Sequence, residues 1–103
     1  MIPNYPMALE GCAKIQGVLA RNDFAAAEWI LLHEVELPTF PLMEAFGPGQ
    51  PLAPADPRRW AVQDEIDAVR TAVKSRNRSL AESRLRSLVS KIETLSRGSL
   101  AVV

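Results

Sequence analysis

The stretch RRWAVQDEIDAVRTAVKSRNRSLAESRLRSLVSKIETLSR, residues 58–97, decides the fold of this 103-residue chain. It contains neither proline nor glycine, and its apolar residues recur three and four positions apart, which is the spacing of one helix face. The stretch therefore predicts a helix of about forty residues, roughly 60 Å long. Because such a helix cannot bury its own apolar stripe, the rest of the chain is expected to pack back on it. The stripe consists of Ile66, Val69, Val73, Leu80, Leu85, Leu88, Ile92 and Leu95.

One polar interruption divides this stretch. Residues 74–79 carry no apolar side chain, and the stripe restarts out of phase beyond them. Ser79 with Glu82 also fits the capping box of a helix start, which indicates a break near Asn77. Since no proline or glycine stops the helix there, we expect one continuous or gently kinked helix, with the break as the alternative. Gly98 is the expected C-terminal cap, followed by a frayed or docked tail over 99–103.

Two shorter helices are expected in the first half of the chain. After an irregular lead-in over 1–6, apolar residues at spacings of three and four predict a helix over 7–21. Asn22 or Asp23 is the expected N-cap of a second helix over 24–46, with a tight joint between the two helices. Pro38 lacks an amide hydrogen and clashes with the preceding turn, so the second helix is expected to break there.

A segment rich in proline and glycine separates these helices from the long one. Residues 47–57 hold two glycines and four prolines, a composition that disrupts both helices and central strands. The segment is therefore predicted to be a linker within which the chain reverses. No alternation of period two indicates a strand. The prediction is one all-α domain over 1–103, an antiparallel three- to four-helix bundle with a long C-terminal helix.

Charge is balanced over the chain but unevenly distributed along it. The chain has 12 Lys and Arg against 12 Asp and Glu, which removes the basic excess typical of nucleic-acid binders. Residues 1–50 are acidic and residues 70–103 are basic. We therefore expect the second helix to pack against the long helix, with exposed ion pairs that add little stability. The basic residues of 70–86 have no interleaved aromatic residues, and a nucleic-acid partner is not expected.

No group of residues fits a catalytic or metal site. His33 is the only histidine, and it lacks the further His and Cys ligands that zinc sites need. The single Cys12 follows the apolar spacing of the first helix, where it is expected to fill the core. Asp64, Glu65 and Asp67 lie near the start of the long helix, where the helix dipole stabilises acidic side chains. We therefore expect no enzyme activity, cofactor or metal.

Three features of the sequence bear on the location of the protein. A single cysteine permits no internal disulfide and fits a reducing compartment. The first residues lack the basic and apolar regions of a secretory signal, and no run approaches the roughly 18 apolar residues that cross a bilayer. The expectation is a cytoplasmic protein without a membrane partner.

The second helix is apolar on more than one side. Trp29, Ile30 and Leu32 lie outside the apolar stripe that begins at Phe24. Two apolar sides need two neighbours, and a three-helix protein of this size can leave the second place to a partner, with ordinary core packing as the alternative. We predict a groove between the second and the long helix that receives an amphipathic helix. The predicted lining residues are Trp29, Leu32, Val35, Phe40, Met43, Val69 and Val73.

Several segments of the chain carry a family resemblance. An Asn–Arg pair at 77–78 precedes LAESRLRSL at 80–88 and IETLSRG at 92–98, and LARNDF at 19–24 leads into an acidic, apolar helix. These segments resemble the FliT-like flagellar export chaperones, of which the FlgN-like chaperones are close relatives.

The resemblance implies a small all-helical cytoplasmic chaperone without enzyme activity. Its cargo would be the C-terminal end of the flagellar filament-cap protein, kept soluble before type III export. The export ATPase and flagellar regulators would be further partners. The alternative, from a different class, is a small helical regulatory or assembly protein that homodimerises through its apolar face.

Overall fold

Helices make up nearly all of the chain that the computed structural model describes, residues 4–39 and 57–101. The π-helical segment Leu31–Glu36 joins α2 (Phe24–Ile30) to α3 (Leu37–Thr39) without a break, and these three elements are together called the second arm. The described ranges contain no strand, which confirms the predicted all-α fold. The elements are α1 (Tyr5–Ala20), α2 (Phe24–Ile30), the π-helical segment (Leu31–Glu36), α3 (Leu37–Thr39), α4 (Pro57–Lys74) and α5 (Arg78–Ala101).

The four helical arms run alternately up and down around one core. α1 packs against the second arm and α5, and α4 packs against the same two neighbours. Glu28 lies 3.8 Å from Lys74, whereas Glu36, at the other end of the second arm, accepts a hydrogen bond from Gln63 at 2.8 Å. The second arm and α4 are therefore antiparallel. The result is an antiparallel four-helix bundle of 41 × 24 × 21 Å. The acidic second arm packs on α4, the first half of the predicted long helix, but it does not contact α5, which carries most of the basic residues of 70–103.

The long helix predicted for the second half is in fact two helices, so the prediction of one continuous helix is wrong. α4 ends in a Schellman motif, in which the Asn77 amide donates to the Ala72 carbonyl at 2.9 Å and the Arg76 amide to the Val73 carbonyl at 3.0 Å. Arg76 takes the left-handed φ of 55° that this motif needs. Asn77 Oδ1 then accepts the Leu80 amide at 3.1 Å and caps α5. The chain thus reverses within three residues.

The joint between α1 and α2 has the same geometry. Asn22 has a φ of 58°, and its amide donates to the Leu19 carbonyl at 2.9 Å. The Asp23 amide donates to the Val18 carbonyl at 2.9 Å, and Asp23 Oδ1 accepts the Ala26 amide at 3.1 Å. Both joints therefore end one helix with a Schellman motif and cap the next with the following residue. The predicted tight joint at this position is confirmed.

The core is one cluster of mostly aliphatic side chains, to which every arm contributes. Cys12 is part of it, as predicted. Leu80 was predicted to belong to the apolar stripe, but it is 42% exposed because it precedes the buried face of α5, which begins at Ala81. The buried apolar residues are Ala8, Cys12, Ile15, Val18, Leu19, Ala27, Ile30, Leu31, Val35, Val62, Ile66, Val69, Ala72, Val73, Ala81, Leu85, Leu88, Ile92 and Leu95.

The first and last helices extend beyond their predicted ends. α1 begins at Tyr5, within the predicted irregular lead-in, because Asn4 Oδ1 accepts the Met7 amide at 3.1 Å and caps the helix. α5 runs through Gly98 to Ala101, so Gly98 does not end the helix. A glycine inside a helix costs only about 1 kcal/mol relative to alanine, which the neighbouring turns can offset. The predicted tail is therefore helical as far as the described residues extend.

The second arm passes through Pro38 without the predicted break. The segment Leu31–Glu36 is π-helical, and its wider turn moves aside the carbonyl that a proline ring meets in an α-helix. Beyond the proline, the Thr39 hydroxyl donates to the Val35 carbonyl at 2.7 Å and extends the helical hydrogen bonding. The predicted continuation of this helix, and the predicted linker as far as position 56, lie outside the described residues.

Gly11 lets α1 approach the second arm closely. A Cβ atom at Gly11 would lie 2.7 Å from the Glu34 carbonyl oxygen and 2.9 Å from Val35 Cγ2. In an α-helix the Glu34 carbonyl would accept the amide of residue 38, but Pro38 has no amide hydrogen. The missing side chain at Gly11 leaves room for this carbonyl. A Cβ atom at Gly17, on the same helix, would meet nothing within 4 Å.

We expect opposite effects from alanine at these two glycines. Gly11→Ala should destabilise the fold by about 1–3 kcal/mol, because the backbone of the second arm must move. Gly17→Ala should stabilise it by up to about 1 kcal/mol, because alanine is the better helix former. Urea unfolding followed by circular dichroism measures both changes. Equal stabilisation by the two substitutions would contradict the close contact at Gly11.

Candidate functional site

The residues predicted to line a partner groove do not lie on one surface. Val35, Val69 and Val73 are buried in the core at 0%, 0% and 1% exposure, so a partner cannot reach them in this structure. Trp29 and Leu32 are 55% and 41% exposed on the second arm. The two remaining residues of the prediction, Phe40 and Met43, lie outside the described part of the chain.

The burial of the three valines has a simple cause. The prediction assumed three helices, which leaves the second helix with one apolar side uncovered. Because the chain reverses at Arg76 and Asn77, α4 and α5 are separate arms, and the second arm lies between α1 and α4. Ile30, Leu31 and Val35 are therefore all buried. Of the three residues outside the predicted stripe, Trp29 and Leu32 stay at the surface, and Leu37 is a further exposed leucine of this arm.

Trp29 and Leu32 form an exposed apolar pair on consecutive turns of the second arm, called here the Trp29 patch. The indole of Trp29 stacks on the imidazole of His33, with 4.3 Å between ring centroids and an angle of 19° between the planes. His33 Nδ1 lies 3.0 Å from the Trp29 carbonyl oxygen. Since a carbonyl only accepts hydrogen bonds, Nδ1 carries the proton in this contact. The stacking and the hydrogen bond hold the indole in place on the surface.

A second surface feature, which the sequence did not predict, is a cleft between α1 and α5, called here the α1–α5 cleft. Its volume is about 260 Å³. The two helices become neighbours only through the bundle topology, so no local pattern in the sequence marks the cleft. Its apolar wall is formed by Leu9, Ala13, Leu85 and Val89, and its charged edge on α5 by Glu82, Arg86 and Glu93.

Cys12 borders this cleft but does not provide a nucleophile. Its side chain is 1% exposed, and burial raises the pKa of the thiol to about 12. The thiolate, which is the reactive form, is therefore scarce at neutral pH. No cluster of three or more His, Cys, Asp or Glu residues that could hold a metal ion occurs in the described ranges.

Glu65 is a buried carboxylate between α4 and α5. It is 5% exposed, and its Oε1 accepts hydrogen bonds from Lys91 Nζ at 2.9 Å and Ser87 Oγ at 3.0 Å. Arg84 Nη1 lies 3.9 Å from Oε2. Burial acts to raise the pKa of Glu65, but hydrogen bonds and the nearby positive charges outweigh it and lower the pKa below its ordinary value. The ionised carboxylate thus links the two helices.

Sequence reasoning grouped Glu65 with Asp64 and Asp67 as acids that the helix dipole stabilises, and it did not predict that Glu65 is buried. Glu65 lies three residues after Val62 and four before Val69, both of which are buried, so it occupies a position on the core stripe. That spacing was the signal that distinguishes it from Asp64 and Asp67, which are exposed. An acid on a core stripe indicates a basic partner on the facing helix.

Comparison with known proteins identified no relative of this chain. No protein-family model matches the chain, and neither a curated protein nor a solved structure matches it. The similarity to flagellar export chaperones therefore rests on the sequence segments alone. Among the described helices, none is both long and apolar enough to cross a membrane.

We expect Glu65→Gln to reduce stability at pH 7 by about 1–2 kcal/mol, because a neutral amide loses the charged hydrogen bonds to partners that are themselves partly exposed. Since the pKa of Glu65 in the folded state lies below its ordinary value of 4.5, this contribution is complete above pH 4.5 and is lost as the pH falls through the folded-state pKa. The stability difference between wild type and variant should therefore shrink from pH 7 to pH 3.

Chemical denaturation at several pH values measures this difference. Asp64→Asn is the matched control, because Asp64 is an exposed neighbour on the same helix and should change stability by less than about 0.5 kcal/mol. A gap between wild type and Glu65→Gln that stays constant down to pH 3 would contradict the assignment.

Proposed function

We propose that the chain is a non-enzymatic chaperone or adaptor that binds an amphipathic helix of a protein partner. The observation that supports this function is the Trp29 patch, where a tryptophan at 55% exposure and a leucine at 41% exposure share consecutive helical turns. The opposite side of the same arm is fully packed, so the fold has no internal use for these side chains. An aromatic and an aliphatic anchor on consecutive turns are typical of surfaces that bind helices.

The size of Trp29 makes the patch a source of binding energy. A tryptophan side chain buries up to roughly 250 Å² when it is fully covered. Covering the exposed half of the indole at about 25 cal/mol per Å² contributes about 3 kcal/mol. The stacked imidazole of His33 restrains the indole, which reduces the conformational entropy that binding would remove.

The identity of the partner follows from the sequence resemblance. We propose as cargo the C-terminal segment of a flagellar filament-cap protein, kept soluble in the cytoplasm before type III export. The export ATPase and flagellar regulators are the further candidates that the resemblance implies. Within this proposal, Val35, Val69 and Val73 hold the second arm against α4 from inside the core and have no contact with the cargo.

The alternative function is a small regulatory or assembly protein that works as a homodimer. This alternative places the exposed apolar residues of the second arm in the interface between two copies. The two functions differ in one observable, because a dimer that covers Trp29 would shield the indole from solvent at concentrations where the chaperone exposes it. Tryptophan fluorescence quenching over a concentration series, with Trp29→Phe as reference, distinguishes them.

We expect Trp29→Ala to weaken cargo binding by at least tenfold, because the variant lacks the largest exposed anchor. Calorimetric titration of the filament-cap protein's C-terminal peptide measures the affinity. Trp60→Ala is the matched control, since Trp60 is 51% exposed on α4, outside the Trp29 patch, and its loss should leave the affinity unchanged. Leu32→Ala tests the second anchor.

Circular dichroism confirms that each variant stays folded. The absence of binding heat with the wild-type protein would exclude this cargo. Equal affinities for wild type, Trp29→Ala and Leu32→Ala would show that the partner binds elsewhere on the bundle.

A further inference from the structure

The charges on the α5 side of the α1–α5 cleft are ordered so that they can pair with the same charges of a second, antiparallel copy. Glu82, Arg86, Val89, Glu93 and Arg97 follow one another at spacings of three and four, so they form a single stripe along α5. Before Val89 the stripe carries a negative and then a positive charge, Glu82 and Arg86. After Val89 the same order is repeated by Glu93 and Arg97. We propose that this surface is the interface of a homodimer, in which two copies of α5 pack antiparallel across a two-fold axis.

The positions of the charges define the register of this dimer. With the axis between Val89 and Ser90, Arg86 and Glu93 lie equally far from it on opposite sides. Arg86 of each copy then faces Glu93 of the other. Glu82 faces Arg97 of the other copy by the same symmetry. All four charges of one copy therefore meet an opposite charge, and the apolar wall near Val89 lies at the centre of the interface.

A parallel arrangement of the two α5 helices is disfavoured by the same residues. A two-fold axis along the helix direction brings each residue opposite its own copy, so Arg86 would face Arg86 and Glu93 would face Glu93. Like charges directly opposite each other repel and suppress that pairing. The stripe thus selects the antiparallel dimer over the parallel one.

These charges are available for contacts between copies. Arg86, Glu93 and Arg97 are exposed, and none of them forms an ion pair with another described residue. Glu82 has a single ionic neighbour, Arg78, at 3.6 Å. By contrast, the acids of the second arm that face α1 and α4 pair with bases of those helices. The cleft side of α5 therefore carries exposed charges of both signs that form no ion pair with another described residue.

The size of the face sets the expected strength of the dimer. α1 has 16 residues and is about 24 Å long, and two helices packed roughly 9 Å apart present a face about 20 Å wide. The area of about 500 Å² is below the roughly 800 Å² that each partner of a standard interface buries. We therefore expect a reversible dimer with a dissociation constant in the micromolar range.

The proposed dimer is compatible with cargo binding but does not depend on it. α5 and the second arm lie diagonally across the bundle and do not contact each other. A dimer formed through the α1–α5 cleft therefore leaves the Trp29 patch accessible in both copies. A variant that no longer dimerises should therefore still bind cargo, and a variant that no longer binds cargo should still dimerise.

Charge exchange between Arg86 and Glu93 tests the proposed register. Arg86→Glu and Glu93→Arg each place two like-charged pairs across the axis, although they change the net charge in opposite directions. The double variant Arg86→Glu/Glu93→Arg restores opposite charges at both positions. Sedimentation velocity over about 5–500 µM protein at low salt gives the dissociation constants, a range that brackets the expected micromolar value. Circular dichroism is the control for folding.

We expect each single variant to weaken dimerisation at least tenfold and the double variant to return within about threefold of wild type. A wild-type protein that stays monomeric throughout the series would overturn the proposal. Wild-type affinity in the single variants, or a double variant as weak as the single ones, would overturn it as well. If the chain is monomeric and Arg86→Glu weakens cargo binding, the cleft belongs to a partner helix and not to a second copy.

Discussion

The reversal at Ser75, Arg76 and Asn77 is the constraint on which the rest of the bundle depends. It turns what would be a rod of about 60 Å into two arms that bury each other's apolar stripes. The turn is held by backbone hydrogen bonds that close α4 and by the Asn77 side chain that caps α5. Only this reversal brings the partly exposed Lys91 to the buried Glu65, so this ion pair and the pairing of the two helices depend on each other.

The same reversal determines which apolar residues stay at the surface. With α4 and α5 as separate arms, the second arm has a neighbour on either side, and its exposed large apolar residues are Trp29, Leu32 and Leu37. The fourth arm also creates the α1–α5 cleft on another side of the bundle. Because the chain reverses at this turn, the surface proposed for a partner helix and the surface proposed for a second copy lie on different sides of the bundle.

Apolar spacing was sufficient to predict the helices and most of their buried faces, because burial of a stripe is a property of the sequence period. Apolar spacing did not predict the features that depend on local backbone geometry. A left-handed φ is typical of glycine or asparagine, so Arg76 did not mark the turn, and the break near Asn77 was only the alternative to a continuous helix. The residue that caps α5 is Asn77 and not Ser79. Pro38 is accommodated by a π-helical segment that depends on packing against α1 at Gly11. The predicted groove combined buried and exposed residues, because it was derived from a continuous long helix, which leaves the second arm with fewer neighbours than it has.

A distance between α4 and α5 tests the reversal most directly. Spin labels at exposed positions 64 and 90, introduced by Asp64→Cys and Ser90→Cys in a Cys12→Ala background, can be measured by pulsed electron paramagnetic resonance in protein diluted with unlabelled chain. Antiparallel helices packed about 10 Å apart should give a label separation below about 25 Å. A continuous helix would instead separate the two positions by about 39 Å, and a distance near that value would contradict the four-helix bundle.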